Sequence, residues 1–214
     1  MADPEHLVKL KQGVKAWNTW RQENPNILPN LKGADLSKSN LKGAFLARAD
    51  LEQASLERVN LEMAVLWEAN LSKANLWRAR LKGADFLEAK LAGTELIRAN
   101  LRKAGFLGAD LKGAFLAGSN LEGADFWKAS LIGANLYKAN LTRTMLWRAD
   151  LEGTNFAEAK LEGAVLWKAR LVGVLNLSTE QLSTVKTIQG AELDTKLRME
   201  VEQNCPHILK EPQR

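Results

Sequence analysis

Residues 69–91 read ANLSKANLWRARLKGADFLEAKL, and the same rhythm runs through most of the 214-residue chain. From Leu31 to Leu171 every fifth residue is Leu or Phe, in all 29 positions. From Ala34 to Ala169 the residue two places before each of these is Ala, Ser or Thr, with Val59 as the one exception. Asn or Asp often fills the place between the two. The chain therefore carries an internal five-residue repeat, which predicts a stacked, repetitive architecture.

A period of five fits neither regular secondary structure. On an α-helix each step of five advances about 500°, so the large residues would spread around the whole helix. On a straight strand an odd period would place successive large side chains on opposite faces. The remaining solution bends the chain once per repeat, so that every Leu or Phe points to one axis. The small residue then fills the space near each corner, and the polar residues face outward.

The number of sides per coil follows from slower periodicities. Two series recur at every fourth repeat: Phe86, Phe106, Phe126 and Trp127, Trp147, Trp167. Stacked coils place like residues above one another, so the interval indicates four repeats in each coil. A triangular coil of three repeats matches neither series. We therefore predict about seven square coils with a rise of about 4.8 Å each.

The Ala-(Asn/Asp)-Leu-x-x pattern resembles the pentapeptide-repeat family over about two-thirds of the chain. The opening segment, from Pro4 to Trp17, is similar to the openings of cyanobacterial members. The resemblance implies an all-β solenoid, a right-handed quadrilateral parallel β-helix of about seven coils. Some members of the family resemble B-form DNA in shape and charge and bind DNA gyrase.

Caps are expected at both ends because a solenoid otherwise exposes unpaired backbone and apolar core. We divide the chain into an N-terminal helical cap and linker (1–30), a β-helix (31–175) and a C-terminal helical cap or tail (176–214). Asp3 and Pro4 are suited to begin a helix. The face of this helix that covers the first coil carries Leu7, Leu10, Val14 and Trp17.

The C-terminal segment is expected to hold two helices. Ser178-Thr179-Glu180-Gln181 has the pattern of a capping box, and the helix that it opens is expected to end near Gly190. A second helix is expected to start at Asp194 and to end before Pro206.

Composition bounds the location and the partners. No run of about 18 apolar residues occurs, and the first five residues lack the character of a secretory signal. Cys205 is the only cysteine, which favours a reducing compartment, so we expect a cytoplasmic protein. The net charge is +5, and residues 31–175 carry 21 basic and 16 acidic side chains. This mixed surface does not favour nucleic acid, and its sign disfavours a gyrase-binding DNA mimic.

The sequence offers no catalytic constellation. His6 and His207 lie at opposite ends of the chain, and Cys205 lacks the surroundings of a catalytic thiol. The glycines of the repeats fall at turn positions, and no phosphate-binding motif follows them. Carboxylates such as Glu57 and Glu62 occupy outward positions instead of a pocket. We therefore expect no enzyme and no cofactor or metal.

One side of the coil stands out as a candidate binding surface. Where other sides carry Asn, Asp and charged residues, the side centred on Leu46, Leu66 and Phe86 has outward apolar residues. The predicted partner-binding residues on it are Trp67, Trp127, Met145, Trp147, Val165 and Trp167. We expect the three C-terminal tryptophans to stack about 4.8 Å apart, one per coil. Together they exceed the exposed apolar patch usual for a monomer, so something should cover them.

Three coverings are open: the chain's own tail, a second copy in a homodimer, or a different, unknown protein. The tail residues that could fold back are Leu193, Leu197, Val201, Ile208 and Leu209. A competing nucleic-acid surface is the outward basic row of the side centred on Leu36, which holds Lys38, Arg58, Arg78, Arg98 and Lys138. Glu57, Glu95 and Glu158 dilute that row, so nucleic acid remains the lesser alternative.

Overall fold

Each five-residue repeat forms one side of a coil in the computed structural model, which describes residues 1–210. The two residues after the inward Leu make a turn, and the next N–H closes it, as Ala34 N donates to Leu31 O at 3.0 Å. The second turn residue has a positive φ, 66° at Gly33 and 60° at Lys38. Such a turn bends the chain once per repeat, as the five-residue period requires.

Consecutive coils pair in parallel, each strand residue with the equivalent residue four repeats later. The first bridge joins Asn30 to Asp50, and the same offset holds through Asn155 and Leu175. Four repeats therefore complete one coil, and the chain forms the predicted right-handed quadrilateral β-helix.

The inside of the β-helix is filled by the repeat's large residues. Nearly all of these Leu and Phe side chains are fully buried, and so are the Ala residues two places before them. Phe86, Phe106 and Phe126 stack with parallel rings, with centroids 4.8 and 4.5 Å apart. The interior is thus a packed core instead of a channel.

The N-terminal cap consists of two helices, α1 (Pro4–Lys11) and α2 (Val14–Glu23), where a single helical face was predicted. Gly13, with a φ of 101°, breaks the helix between them. Asp3 begins α1 as predicted, because its carboxylate accepts the backbone N–H groups of Glu5 and His6. Trp17 on α2 is fully buried and donates its ring N–H to the carbonyl oxygen of Phe45 at 2.9 Å.

The C-terminal segment resumes the coil after an inserted helix. Its elements are β1 (Arg170–Leu171), α3 (Thr179–Ser183), β2 (Glu192–Leu193), α4 (Thr195–Asn204) and a 3-10 helix (Pro206–Leu209). The prediction that the first helix reaches Gly190 is wrong, because α3 ends at Ser183. Thr187 then bridges to Val165, and β2 pairs in parallel with β1. The offset between these partners is longer by two than in the regular coils, so α3 replaces one side of an incomplete last coil.

The second C-terminal helix is confirmed as α4. Asp194 begins it by accepting the N–H of Leu197 at 2.9 Å. Leu197, Val201 and Ile208 are buried in the common core, so α4 and the 3-10 helix close the end of the β-helix. Residues 211–214 of the predicted C-terminal segment lie outside the described residues.

Candidate protein-binding face

The tryptophan face is the outward surface of the side whose inward residues are Leu46, Leu66, Phe86, Phe106, Phe126, Leu146 and Leu166. Three outward positions form columns along it: the residue before the inward one and the two turn residues after it. The turn fixes the backbone of the first turn residue. At Trp127, for example, the backbone N–H donates to the carboxylate of Asp125 at 3.0 Å. Successive coils then place equivalent side chains above one another.

The structure places all six predicted residues on this face, with different exposure. Trp67, Trp127 and Trp147 are 44%, 41% and 41% exposed, and Met145 is 41% exposed. Val165 and Trp167 are half-buried. Three tryptophans occupy consecutive coils, whereas Trp67 is separated from them by coils that carry Leu87 and Leu107. The face therefore has an aromatic C-terminal half and a smaller apolar N-terminal half.

The three neighbouring rings do not stack as predicted. Trp127 and Trp147 meet edge to face, with centroids 6.5 Å apart and an interplanar angle of 76°. Trp147 and Trp167 are tilted by 57° at 5.6 Å. Surface rings are free to take the edge-on arrangement that their quadrupoles favour, whereas the core phenylalanines are confined to parallel stacking.

Cations and carboxylates follow the rim of the face in a definite order. The second turn positions hold, from the first coil to the last, Arg48, Glu68, Glu88, Gly108, Lys128, Arg148 and Lys168. Lys128 Nζ lies 5.5 Å from the ring centroid of Trp127, and Lys168 Nζ lies 4.2 Å from that of Trp167. Both carboxylates thus precede Gly108, and the three cations of the aromatic half follow it.

A groove between α2 and the first coils was not predicted. Its volume is about 310 Å³, and its lining consists of Arg21, Gln22, Pro25, Phe45, Ala47, Val65 and Trp67. Arg21 donates to the carbonyl oxygen of Ala47 at 3.3 Å, and burial, followed by the nearby Arg48, lowers the pKa of its guanidinium. The amphipathic pattern of α2 indicates that it covers apolar surface but does not show that its polar edge borders this face.

The interpretation in which the chain's own tail covers the face is wrong. The tail continues the β-helix axis and closes its end, while Trp127 and Trp147 stay exposed. Its contact with the aromatic strip is at the last coil, where Trp167 Nε1 donates to Gln189 Oε1 at 3.2 Å. Gln189 was not predicted, because the last coil is two residues longer than the regular coils and its residues do not follow the regular interval.

The basic row on the opposite side is partly occupied by its own neighbours. Arg78 lies over the Trp77 ring at 4.4 Å, and Lys138 lies over the Tyr137 ring at 4.8 Å. Lys138 Nζ is also 3.3 Å from a carboxylate oxygen of Glu158. The Tyr137 hydroxyl and then Glu158 raise the pKa of Lys138. These cations are therefore less available to a phosphate backbone than their linear arrangement indicates.

Within residues 1–210 no group of His, Cys, Asp and Glu side chains is arranged to hold a metal ion. In the same part of the chain no helix has the length and apolar character needed to cross a membrane.

Comparison with known proteins points to one family. The family model described as pentapeptide repeats matches overlapping segments that together run from residue 30 to residue 175. No curated protein matches the chain in sequence.

Among solved structures, the chain is 31% identical to HetL, a pentapeptide repeat protein involved in heterocyst differentiation regulation from the cyanobacterium Nostoc sp. strain PCC 7120. That match covers 76% of this chain and 82% of HetL, with a TM-score of 0.41. The match to alr5209 from Nostoc PCC 7120 has 26% identity, covers 54% and 84% of the two chains, and has a TM-score of 0.35. A trypsin-treated variant of QnrB1, a plasmid-mediated fluoroquinolone resistance protein, is 20% identical over 79% of this chain and 82% of its own, with a TM-score of 0.49.

Proposed function

The chain belongs to the pentapeptide-repeat family, and from this premise we propose that it is a non-catalytic scaffold whose tryptophan face binds protein. The observation that carries the proposal is the exposed strip formed by Trp127, Met145 and Trp147, with Trp167 at its end. Trp is one of the residue types that dominate protein interfaces, and Arg, which Arg148 adds at the rim, is another.

The size of the strip supports a binding role. A Trp buries about 150–250 Å² when it is fully covered. Trp127, Met145 and Trp147 each still expose 41% of their surface. The strip can therefore supply about 200–300 Å² of further apolar contact. An apolar patch of about this size is often functional. The flat, repetitive side of a β-helix also holds these rings at fixed spacing, which lowers the entropy that ordering them on binding would cost.

The non-catalytic part of the proposal rests on how the charged groups are used. Several carboxylates pair with cations one coil away, as Lys32 Nζ does with Glu52 at 2.7 Å and Arg102 with Glu122 at 2.9 Å. Glu62 accepts from Arg80 at 2.8 Å, and that contact lowers the pKa of Glu62. Such ladders support the coil surface and keep the carboxylates ionised, which is unsuited to a general acid at neutral pH.

We include a cytoplasmic location in the proposal because the single cysteine, Cys205, is buried in the cap and free. A protein without a disulfide is compatible with a reducing compartment.

The test is affinity capture with the full chain and two matched double variants. Trp127→Ala/Trp147→Ala removes the centre of the tryptophan face, and Trp77→Ala/Tyr137→Ala removes aromatic residues from the opposite side. We expect proteins held by the unchanged chain to be retained by the second variant and lost with the first. Circular dichroism and thermal melts must show that both variants keep the fold.

The proposal fails if both variants capture the same proteins as the unchanged chain. It also fails if proteins are lost only when the opposite side is altered, since the binding surface would then lie around Tyr137.

A further inference from the structure

We propose that the tryptophan face binds a second copy of this chain, in an antiparallel two-fold dimer centred on Leu107. The inference rests on the proposed function, that this face binds protein, and names the partner.

The geometry of such a dimer is fixed by the coil. Two identical faces can meet about a two-fold axis that runs along the strand direction. Each outward column then faces the same column of the other copy, with the order of coils reversed. Of the seven regular coils, the fourth carries Gly105, Leu107 and Gly108, and the axis passes through it. Coils equally distant from this centre become opposite one another.

Four of the six charge contacts between the two rim columns are complementary under this operation. Lys128 comes to lie opposite Glu88 of the other copy, and Arg148 comes to lie opposite Glu68. Because the axis doubles every contact, four opposite-charge pairs form across the interface. A parallel pairing, about an axis along the β-helix, would reverse the order of the columns, so that Lys128 and Arg148 would no longer face the column that holds Glu88 and Glu68.

The apolar columns match in the same register. Trp147 lies opposite Trp67, and Trp127 lies opposite Leu87. In the column before the inward residue, Met145 lies opposite Val65. Each aromatic or long apolar residue of the C-terminal half therefore meets an apolar residue of the N-terminal half.

The shape of the face fits the same arrangement. Trp167 lies opposite Ala47, the small residue that lines the groove beside α2. A large ring thus meets a recess at each end of the interface. At the centre, Gly105 and Gly108 have no side chain, which leaves room for the Leu107 side chains of the two copies on the axis.

The interface is expected to be reversible. Six coil steps of about 4.8 Å and a side about 16 Å wide give a footprint of about 500 Å² per copy. The total, about 1,000 Å², is at the low end of specific interfaces. The register also opposes Asp85 to Asp125 and Arg48 to Lys168, although Arg48 Nε already lies 3.7 Å from Glu68 in its own chain. Dimer formation should therefore depend on concentration.

Charge reversal tests both the partner and the register. We expect Lys128→Glu and Glu88→Lys each to raise the dissociation constant of the dimer about tenfold or more. The double variant restores the opposite-charge pairs, so its dissociation constant should return close to that of the unchanged chain. Lys103→Glu is the matched control, since Lys103 has the same turn conformation, with a φ of 56°, on a neighbouring side. Sedimentation equilibrium on the full chain supplies the constants.

A second variant tests the position of the axis. Leu107→Cys places a thiol on the axis, where two copies should be joined by a short bifunctional thiol reagent. Ala47→Cys places it about 29 Å from its equivalent, so no such crosslink should form. The native Cys205 does not compete, because it is buried and burial raises the pKa of its thiol.

The inference is overturned if the unchanged chain has the mass of one molecule up to about 1 mM. It is also overturned if the double charge variant stays as weak as the single ones, or if Ala47→Cys crosslinks as readily as Leu107→Cys. If the chain is monomeric while the tryptophan face captures a different protein, the second-copy inference fails and the proposed function stands. If the tryptophan variants lose no bound protein at all, both fail.

Discussion

At the scale of single residues, the turns of the coil use a backbone conformation that side chains other than Gly usually avoid. Lys38 and Arg58 have φ values of 60° and 55°, and long charged residues fill many equivalent positions. The left-handed region costs an L-residue roughly 1–2 kcal/mol. Hydrogen bonds to the next coil, such as that from Lys38 N to Glu57 O at 2.8 Å, hold the conformation in place.

Gly153 offers a test of this backbone cost alone. Its φ is 64°, and a Cβ added there would have no heavy atom within 4 Å. We expect Gly153→Lys to lower the free energy of unfolding by about 1 kcal/mol, as the positive φ requires. Gly153→Val should cost more, because β-branched side chains tolerate this region least. Urea unfolding measures both, and equal stability of all three proteins would show that the turns are not strained.

The small inward positions of the repeat offer a second test. Ser119 Oγ is buried and has no hydrogen-bond partner within residues 1–210, whereas Thr154 Oγ1 donates to Leu131 O at 2.7 Å. Because an unsatisfied buried hydroxyl is destabilising, Ser119→Ala should raise the free energy of unfolding by about 1 kcal/mol. Thr154→Val should lower it by about the same amount, since it removes a bond that is made. Thermal melts that shift in the same direction for both variants would contradict this reasoning.

At the scale of elements, α3 replaces one side of the last coil and must satisfy backbone groups that a strand would otherwise pair. Ser178 and Gln181 form the capping box in both directions. Gln181 Nε2 also donates to the carbonyl oxygens of Phe156 and Ala159, both at 2.8 Å. The Gln181 side chain thus stabilises the start of α3 and also satisfies two carbonyl groups of the coil beneath it.

This double role predicts that two substitutions in the capping box lower the free energy of unfolding by different amounts. Ser178→Ala should lower it by about 1 kcal/mol, the usual value for a lost N-cap. Gln181→Ala should cost about 2 kcal/mol or more, because two coil carbonyls also lose a donor. Ser183→Ala, at the exposed end of α3, is the control. Denaturant unfolding in which Gln181→Ala matches the control would show that these bonds contribute nothing.

The sequence predicts the coils well, but it predicts the ends of the helices in the caps poorly. The coil follows from the sequence because Leu at every fifth residue and Phe at every fourth repeat are enforced by burial in a common core. The start of α3 follows from Ser178 and Gln181, but its end does not, since Ile188 is an inward residue displaced by two positions. Gly13 divides the N-terminal helices through a positive φ that amphipathic spacing does not reveal.

The position of the tryptophan face, like that of the core, follows from the repeat. Trp127 and Trp147 fall on one side because four repeats complete a coil, so their column follows from the period alone. Their edge-on contact does not follow, because ring orientation depends on torsion angles that no repeat constrains at the surface. The groove beside α2 depends on how two separate elements meet, and only the folded chain defines that.

At the scale of the whole molecule, the caps keep a repeating structure finite. We expect a chain truncated after Asn176 to bind hydrophobic dyes and to associate beyond a dimer, because the last coil would expose its core and its strand edges. Val201→Asp should give a milder form of the same behaviour, since Val201 is buried in the cap. Glu202→Ala, its exposed neighbour, should not. Light scattering and dye fluorescence distinguish these cases, and an unchanged truncated chain would show that the cap is dispensable.

The constant offset of four repeats between hydrogen-bonded coils has a mechanical consequence. Each regular coil bonds only to the coils beside it, as Leu51 N does to Asn70 O at 2.7 Å. Tension applied at one end therefore loads a single layer at a time and peels it away before the next begins to yield. Every layer that detaches releases four repeats, or about 70 Å of extended chain. A single molecule held in an optical trap should therefore lengthen in repeated steps of nearly that size instead of unfolding in one event.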